Sequence, residues 1–286
     1  MVRLLIALAA LGAASGTALA DTPLERGSYL VNSLGACSNC HTPRNPPPAG
    51  GPNLDKRLSG GFQVFNEPFF TVKGSNVTPD KDTGIGNWSD ADIKRALTEG
   101  VRPSGVPLAM VMPYSFLRVL TPNDLDAVVA YLKSIPAVRN EVQPPVYKIA
   151  QPSPPLPGAE KPMTEEQLKD PVKRGFYVAS LAHCMACHSR VSEDVPADFK
   201  NAWGKGGRVF KGPFGESTAA NISGHKEKGL GGWTDAEIKR ALTEGVSKDG
   251  RRLKPPMIDY VAYYKTWKDD DIDALIAWIR TIPPIE

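Results

Sequence analysis

Apolar residues fall at helical spacing at several points along the chain. Leu125, Val128, Val129 and Leu132 line one face of a helix, and Ile272, Leu275, Ile276 and Ile279 line the matching face of another. Start and stop signals frame these helices and others. Thr22-Pro23-Leu24-Glu25 reads as a capping box with proline at the first helical position, opening a helix that runs towards Cys37. Asp170-Pro171 opens its counterpart. Ser89 and Thr234 cap two middle helices, with Asp92 and Glu237 three residues on, and Gly100 and Gly245 stop them. The last two helices begin near Thr121-Pro122 and Lys268-Asp269. Between the helices run long loops rich in glycine and proline, longer than a compact domain carries without a reason. The pattern predicts an all-α fold, mostly helical, with loops that wrap something large.

The elements come in pairs because the chain repeats itself. Trp88-Ser-Asp-Ala-Asp-Ile-Lys-Arg-Ala-Leu-Thr-Glu-Gly100 matches Trp233-Thr-Asp-Ala-Glu-Ile-Lys-Arg-Ala-Leu-Thr-Glu-Gly245. Gly27-Ser-Tyr-Leu-Val matches Gly175-Phe-Tyr-Val-Ala, and Asp124 to Pro136 matches Asp271 to Pro283. Two tandem domains are expected, over residues 21–140 and 166–286. The stretch between, 141–165, is expected to be an extended, semi-rigid linker, because Gln143 to Pro162 holds seven prolines.

Each repeat contains one C-x-x-C-H motif, Cys37-Ser38-Asn39-Cys40-His41 and Cys184-Met185-Ala186-Cys187-His188, and these use all four cysteines. C-x-x-C-H is the attachment signature of c-type haem. Two thiols add across the two vinyl groups of one haem, and the following histidine is held beneath the iron. A shared zinc site suits the motifs poorly, because the pairs lie 147 residues apart in similar surroundings. A thioredoxin-like dithiol needs a βαβ context that is missing and expects neither the trailing histidine nor a second copy, while a plain disulfide is the alternative that an exported protein leaves open. Two covalently bound haems c are therefore expected, with Cys37, Cys40, Cys184 and Cys187 as attachment points and His41 and His188 as axial ligands.

The opposite face of each iron decides between electron transfer and chemistry, and methionine there favours electron transfer. Met257 is the candidate in the second repeat. In the first, Met110 and Met112 compete. Trp88 to Met112 and Trp233 to Met257 are both 24 residues, and Gly105 and Gly250 lie seven residues before Met112 and Met257. That register favours Met112. Counting back from the last helix favours Met110, because the second repeat has two extra residues there. We place those two in Tyr260 to Lys265, as a loop insertion. Trp88 and Trp233 read as hydrophobic staples against Ile93 and Ile238, with a haem-propionate contact as the other role. Asn76-Val77-Thr78 and Asn221-Ile222-Ser223 read as propionate donors or local turns. His183 is expected to face solvent or a haem edge, and His225 to be a solvated loop residue.

Composition narrows the partners. The 34 basic residues nearly balance 31 acidic ones, which argues against nucleic acid. Residues 1–20 read as a secretory signal peptide, with Arg3, the apolar run Leu4 to Leu11, and a cleavage site after Ala20. No other apolar run approaches membrane length. An exported, periplasmic chain without a transmembrane helix in its mature part is expected.

With these motifs in place, the chain resembles bacterial di-haem class I cytochromes c, specifically the cytochrome subunits of periplasmic alcohol- and aldehyde-type dehydrogenases. Asn76 to Asp80 followed by Thr83 to Gly86, Met112-Pro113-Tyr114, and Ser134-Ile135-Pro136 followed by Val138 to Asn140 carry the resemblance. It implies two class I cytochrome c domains with His/Met haems. It also implies a carrier without substrate chemistry, and redox partners such as a dehydrogenase subunit, an oxidase, a quinone-linked enzyme or another cytochrome. It further implies that Pro52, in Gly51-Pro52-Asn53-Leu54, accepts the Nδ1–H of His41, whereas the second repeat has no matching proline for His188. The rival is a peroxidase-like di-haem enzyme with one open iron.

Overall fold

The computed structural model describes residues 21–46, 51–61, 64–148, 156–189 and 197–286. The expected signal peptide lies outside these residues. Ten helices occur among them, five in each repeat. The first repeat has α1 (Pro23–Tyr29), α2 (Cys37–His41), α3 (Asp90–Glu99), α4 (Tyr114–Leu117) and α5 (Pro122–Ser134). The second has α6 (Pro171–Leu181), α7 (Cys184–His188), α8 (Asp235–Glu244), α9 (Met257–Tyr264) and α10 (Asp269–Ile279). The expected capping boxes form at Thr22/Glu25, Ser89/Asp92 and Thr234/Glu237, and Gly100 and Gly245 close α3 and α8 at φ 71°. Asp170 and Thr121 cap α6 and α5 through side-chain oxygens.

The fold is not purely helical. Strands β1 (Val64–Glu67), β2 (Phe70–Lys73) and β3 (Val146–Tyr147) form a three-stranded antiparallel sheet, and β4 (Val209–Gly212) pairs with β5 (Gly215–Thr218). The hairpins are themselves repeated: each begins Val-Phe and turns at Pro-Phe, Pro68-Phe69 and Pro213-Phe214. Phe70, Val72 and Ala109 build a small core under the first sheet, packed by Phe65, Phe69, Met110 and Tyr147. Tyr147 stands in the proline-rich connection, where Val146–Tyr147 pairs with β2 as the third strand. Further along it, Leu156, Ala159 and Met163 are buried in the main core, and the Met163 N–H donates to Val119 O at 2.9 Å.

Within each repeat the first and last helices cross at a glycine. A Cβ on Gly27 would overlap the Ala127 carbonyl oxygen and lie 2.7 Å from Tyr131 Cβ. A Cβ on Gly175 would overlap the Ala274 carbonyl oxygen and lie 2.6 Å from Trp278 Cβ. Gly27 lies 10 residues before Cys37, but Gly175 lies 9 before Cys184. The first repeat absorbs its extra residue as a π-turn over Leu30–Leu34, the usual way a helix takes an insertion without losing its direction.

The two repeats share one core. Leu30, Val31 and Leu34 of the first and Tyr177, Val178 and Leu181 of the second belong to one hydrophobic cluster. Their contact is reciprocal. Tyr29 donates to Asp271 Oδ2 at 2.7 Å, and its equivalent Tyr177 donates to Asp124 Oδ2 at 2.5 Å. Asp124 also receives two bonds from Arg26, at 2.8 and 2.7 Å, and Asp271 receives one from Arg174 at 2.8 Å. The backbone N–H groups of Lys268 and Thr121 donate to Tyr29 and Tyr177, at 2.9 and 3.4 Å. Each repeat thus lends its tyrosine to the other's buried aspartate, the self-complementary pattern of a two-fold interface.

Candidate haem-attachment sites

Both C-x-x-C-H motifs form five-residue helices, α2 and α7. In such a turn, positions one, four and five share a face, so Cys37, Cys40 and His41 point together, as do Cys184, Cys187 and His188. Each helix is entered through a left-handed residue with nearly the same angles, Ala36 at φ 45°, ψ 37° and His183 at φ 45°, ψ 36°. Neither is glycine, so each holds its backbone under strain, a common feature of functional turns.

All four cysteines are free of disulfides. Burial pushes the thiols of Cys37 and Cys184 up to about 12 and that of Cys40 up to about 11. A redox-active C-x-x-C pair works with a lowered thiol pKa, so this environment speaks against the dithiol alternative. Among the described residues, no three His, Cys, Asp or Glu side chains gather into a group that could hold a metal ion.

The histidines are held alike. His41 Nδ1 lies 2.7 Å from Ser75 O, and His188 Nδ1 lies 2.7 Å from Ala220 O. Burial holds both imidazoles below the ordinary histidine value, overriding a backbone hydrogen bond that favours the charged form. A neutral ring that donates through Nδ1 keeps its lone pair on Nε2, the atom free to bind a metal. Pro52 does not hold His41, contrary to the expectation from resemblance. Its carbonyl accepts a long 3.4 Å bond from Asn45, and Pro52 pairs with Arg44 in an isolated bridge. The orienting carbonyl lies beyond the hairpin instead, and the second repeat has its own.

The repeated asparagines explain how that carbonyl is placed. Asn76 directly follows Ser75, and Asn221 directly follows Ala220. Asn76 donates to Val138 O at 2.8 Å and to Thr83 Oγ1 at 3.0 Å, and accepts from Thr78 N at 3.0 Å. Asn221 donates to Ile285 O at 2.7 Å and accepts from Ser223 N at 2.8 Å. These amides tie the histidine-holding segment to the chain after the last helix. The recurrence of Asn76 and Asn221 was the available signal for Ser75 and Ala220, which sequence reasoning missed.

The methionines stand in distinct surroundings. Gly105 and Gly250 sit at φ 81° and 80° in matching loops, closed by the bridges Val101–Pro107 and Val246–Arg252. The register through Met112 and Met257 is therefore the structural one. Both pack against the main core, whereas Met110 fills the small core under the first sheet. The residue equivalent to Met110 is Pro255, and β5 carries Gly215 and Ser217 where β2 has Phe70 and Val72. The two extra residues of the second repeat do not form a loop, as expected; they lengthen a helix, so that α9 has 8 residues against 4 in α4. His183 is partly exposed. Its ring lies 5.8 Å from Tyr260, and burial lowers its pKa to about 4. His225 accepts from Glu227 N and Lys228 N through Nδ1, as a loop residue organising its own turn. Trp88 and Trp233 pack on the core beside buried Ile93 and Ile238, as staples do.

Comparison with known proteins agrees with this chemistry. Residues 172–283 match the cytochrome c family model. The cytochrome subunit of fructose dehydrogenase from Gluconobacter japonicus is 28% identical over 277 residues, covering 91% of this chain and 52% of that protein. The cytochrome c subunit of a quinone-type alcohol dehydrogenase from Gluconacetobacter polyoxogenes is 28% identical over 302 residues, covering 97% of this chain and 61% of that protein. The chain thus spans little more than half the length of these two dehydrogenase subunits. A diheme c-type cytochrome from Cereibacter sphaeroides is 29% identical over 262 residues, covering 88% of this chain and 83% of that protein. The chain carries a cytochrome c domain, which implies covalently bound haem c, and over most of its length it resembles the cytochrome c subunits of alcohol, fructose and gluconate dehydrogenases and a diheme cytochrome c.

Proposed function

We propose that the chain is a di-haem electron carrier, exported to the periplasm, which takes electrons from a dehydrogenase partner and delivers them to a downstream respiratory acceptor. The carrying observation is that both C-x-x-C-H helices present the same donor set: two cysteines outside any disulfide, and an imidazole whose Nδ1 is tied to a carbonyl at 2.7 Å. That donor set fits haem c, since thiols can become thioethers and Nε2 can ligate iron. When bound, haem iron supplies reversible storage of one electron.

The chain's own residues then have defined tasks. Cys37, Cys40, Cys184 and Cys187 hold the groups covalently. His41 and His188 would each bind the iron through Nε2, held in a single tautomer and ring orientation by Ser75 and Ala220. Met112 and Met257 would supply the second iron ligand of each site, a role supported by their equivalent register and surroundings. A carrier needs no acid–base pair for substrate chemistry. The two-domain division, 21–140 and 166–286, belongs to this proposal, as does direction of transfer; the reciprocal tyrosine–aspartate contacts support a duplicated unit. Among the described residues no helix is long and apolar enough to cross a membrane.

A spectroscopic redox titration of the purified protein, with carbon monoxide added to the reduced form, tests the function. Two reversible one-electron waves, a methionine–iron charge-transfer band and no carbon monoxide response are expected. Ready carbon monoxide binding overturns the carrier reading and favours a peroxidase-like enzyme with an open iron.

A further inference from the structure

The shared core brings the segment after each methionine up to the other repeat. Phe116 of α4 meets Phe199 of the second repeat edge-on, with ring centroids 5.8 Å apart. In return, α9 packs against the Leu30–Leu34 turn that leads into the first C-x-x-C-H helix, and Thr266, just beyond α9, bonds Ser33 at 2.7 Å.

One residue on α9 lies beside the second motif, while its helix packs on the turn leading to the first. Tyr260 stands three residues after Met257, one helical turn on. Its ring lies 5.8 Å from the ring of His183, which directly precedes Cys184, and α9 packs against the Leu30–Leu34 turn that runs on towards Cys37. Tyr264 stacks on it at 5.8 Å and 25°, and Trp267 packs 4.5 Å behind Tyr264. Tyr264 and Trp267 are buried, so the block continues from Tyr260 into the shared core. The repeat supplies an internal comparison. At the position equivalent to Tyr260, the first repeat has Ser115, buried and without a ring.

We propose that Tyr260 is the bridge through which the two haem-attachment sites exchange electrons. The proposal rests on the reading that both motifs carry haem. One electron leaves one site and enters the other, so one is oxidised as the other is reduced. No bond forms or breaks, no proton moves, and no co-reactant is needed. The aromatic ring, rather than packed volume alone, couples the two sites across the gap an electron must tunnel through, and it is not itself oxidised. Because Tyr260 lies on the helix that begins with Met257, the iron-ligand helix and the bridge are one rigid element.

The test uses the full mature chain, with the haem count and both midpoint potentials recorded for every variant. Half-reduced protein is prepared by pulse radiolysis, and redistribution of the electron between the two sites is followed optically. Tyr260→Leu removes the ring and is expected to slow the exchange. Tyr260→Phe keeps the ring and is expected to exchange at the unsubstituted rate. Tyr260→Met keeps the volume without the ring and is expected to slow like Y260L, so the test stands even if Y260L does not fold. A purely structural role would lower unfolding temperatures and leave exchange unchanged. Equal exchange in all variants, each with two haems, overturns the inference alone. An unsubstituted chain with fewer than two haems overturns the functional reading and the inference together.

Discussion

Replacing Tyr177 by phenylalanine removes one hydroxyl from the reciprocal contact between the repeats. Tyr177 is 1% exposed and Asp124 is 5% exposed, so water does not substitute for the lost partner. A hydrogen bond to a charged group contributes roughly 1.5–3 kcal/mol. Asp124 keeps both bonds from Arg26, at 2.8 and 2.7 Å, so its charge is not left uncompensated. That places the cost of Tyr177→Phe at about 2 kcal/mol, towards the lower end of the range. In a chain of this size 1 kcal/mol moves Tm by about 2–4 °C, so a fall of roughly 4–8 °C is expected. Tyr29→Phe is expected to cost at least as much, because Asp271 is 3% exposed and keeps only one bond, from Arg174. Thermal unfolding followed by circular dichroism measures both. The double variant is expected to broaden the transition or split it in two, as the repeats begin to melt separately. A Tm for Tyr177→Phe within about 1 °C of the unsubstituted protein would refute the reasoning.

Other outcomes follow from the same geometry. Gly175→Ala gains about 1 kcal/mol of helix propensity but drives a methyl into the Ala274 carbonyl, so a net loss of about 2 kcal/mol in urea unfolding is expected. His183, with its folded-state pKa of about 4 below the ordinary 6.5, binds a proton more readily when unfolded. Its contribution to stability is therefore complete above pH 6.5 and is lost as the pH falls towards 4. His183→Phe is expected to flatten that part of a plot of stability against pH. Met112→Leu is expected to open one iron to carbon monoxide, while Met110→Leu leaves the spectrum unchanged and costs only packing. Asn221→Ala is expected to free the segment holding His188 and weaken the methionine–iron band of one haem, with the other unaffected.

What the sequence disclosed depended on how local each feature was. Helix starts at Thr22, Ser89 and Thr234 were legible because a capping box is written in four consecutive residues. The two C-x-x-C-H turns were legible for the same reason. The hairpins escaped because β1 and β4 span only four residues each, beside glycine-rich loops that masked their alternation. Their duplicated Val-Phe and Pro-Phe phrases were the missed signal. The partner of each histidine escaped because it is a backbone carbonyl 34 or 32 residues away, and any residue type can supply one. Pro52 was a plausible neighbour in sequence but not in space. The contact between repeats escaped most completely, since Asp124 and Asp271 look like ordinary first-turn acids of α5 and α10. Only their 5% and 3% exposure reveals them as buried charges with tyrosine and arginine partners.

The most direct measurement is intact mass spectrometry of the mature chain, unfolded in acid so that any non-covalent group is lost. It should be run alongside a variant with Cys184→Ser and Cys187→Ser. The expected result is a chain carrying the mass of two haems, and a variant carrying one. A chain that carries none, or one that keeps both haems after the second pair of thiols is removed, would contradict the assignment of the two C-x-x-C-H helices as separate haem sites.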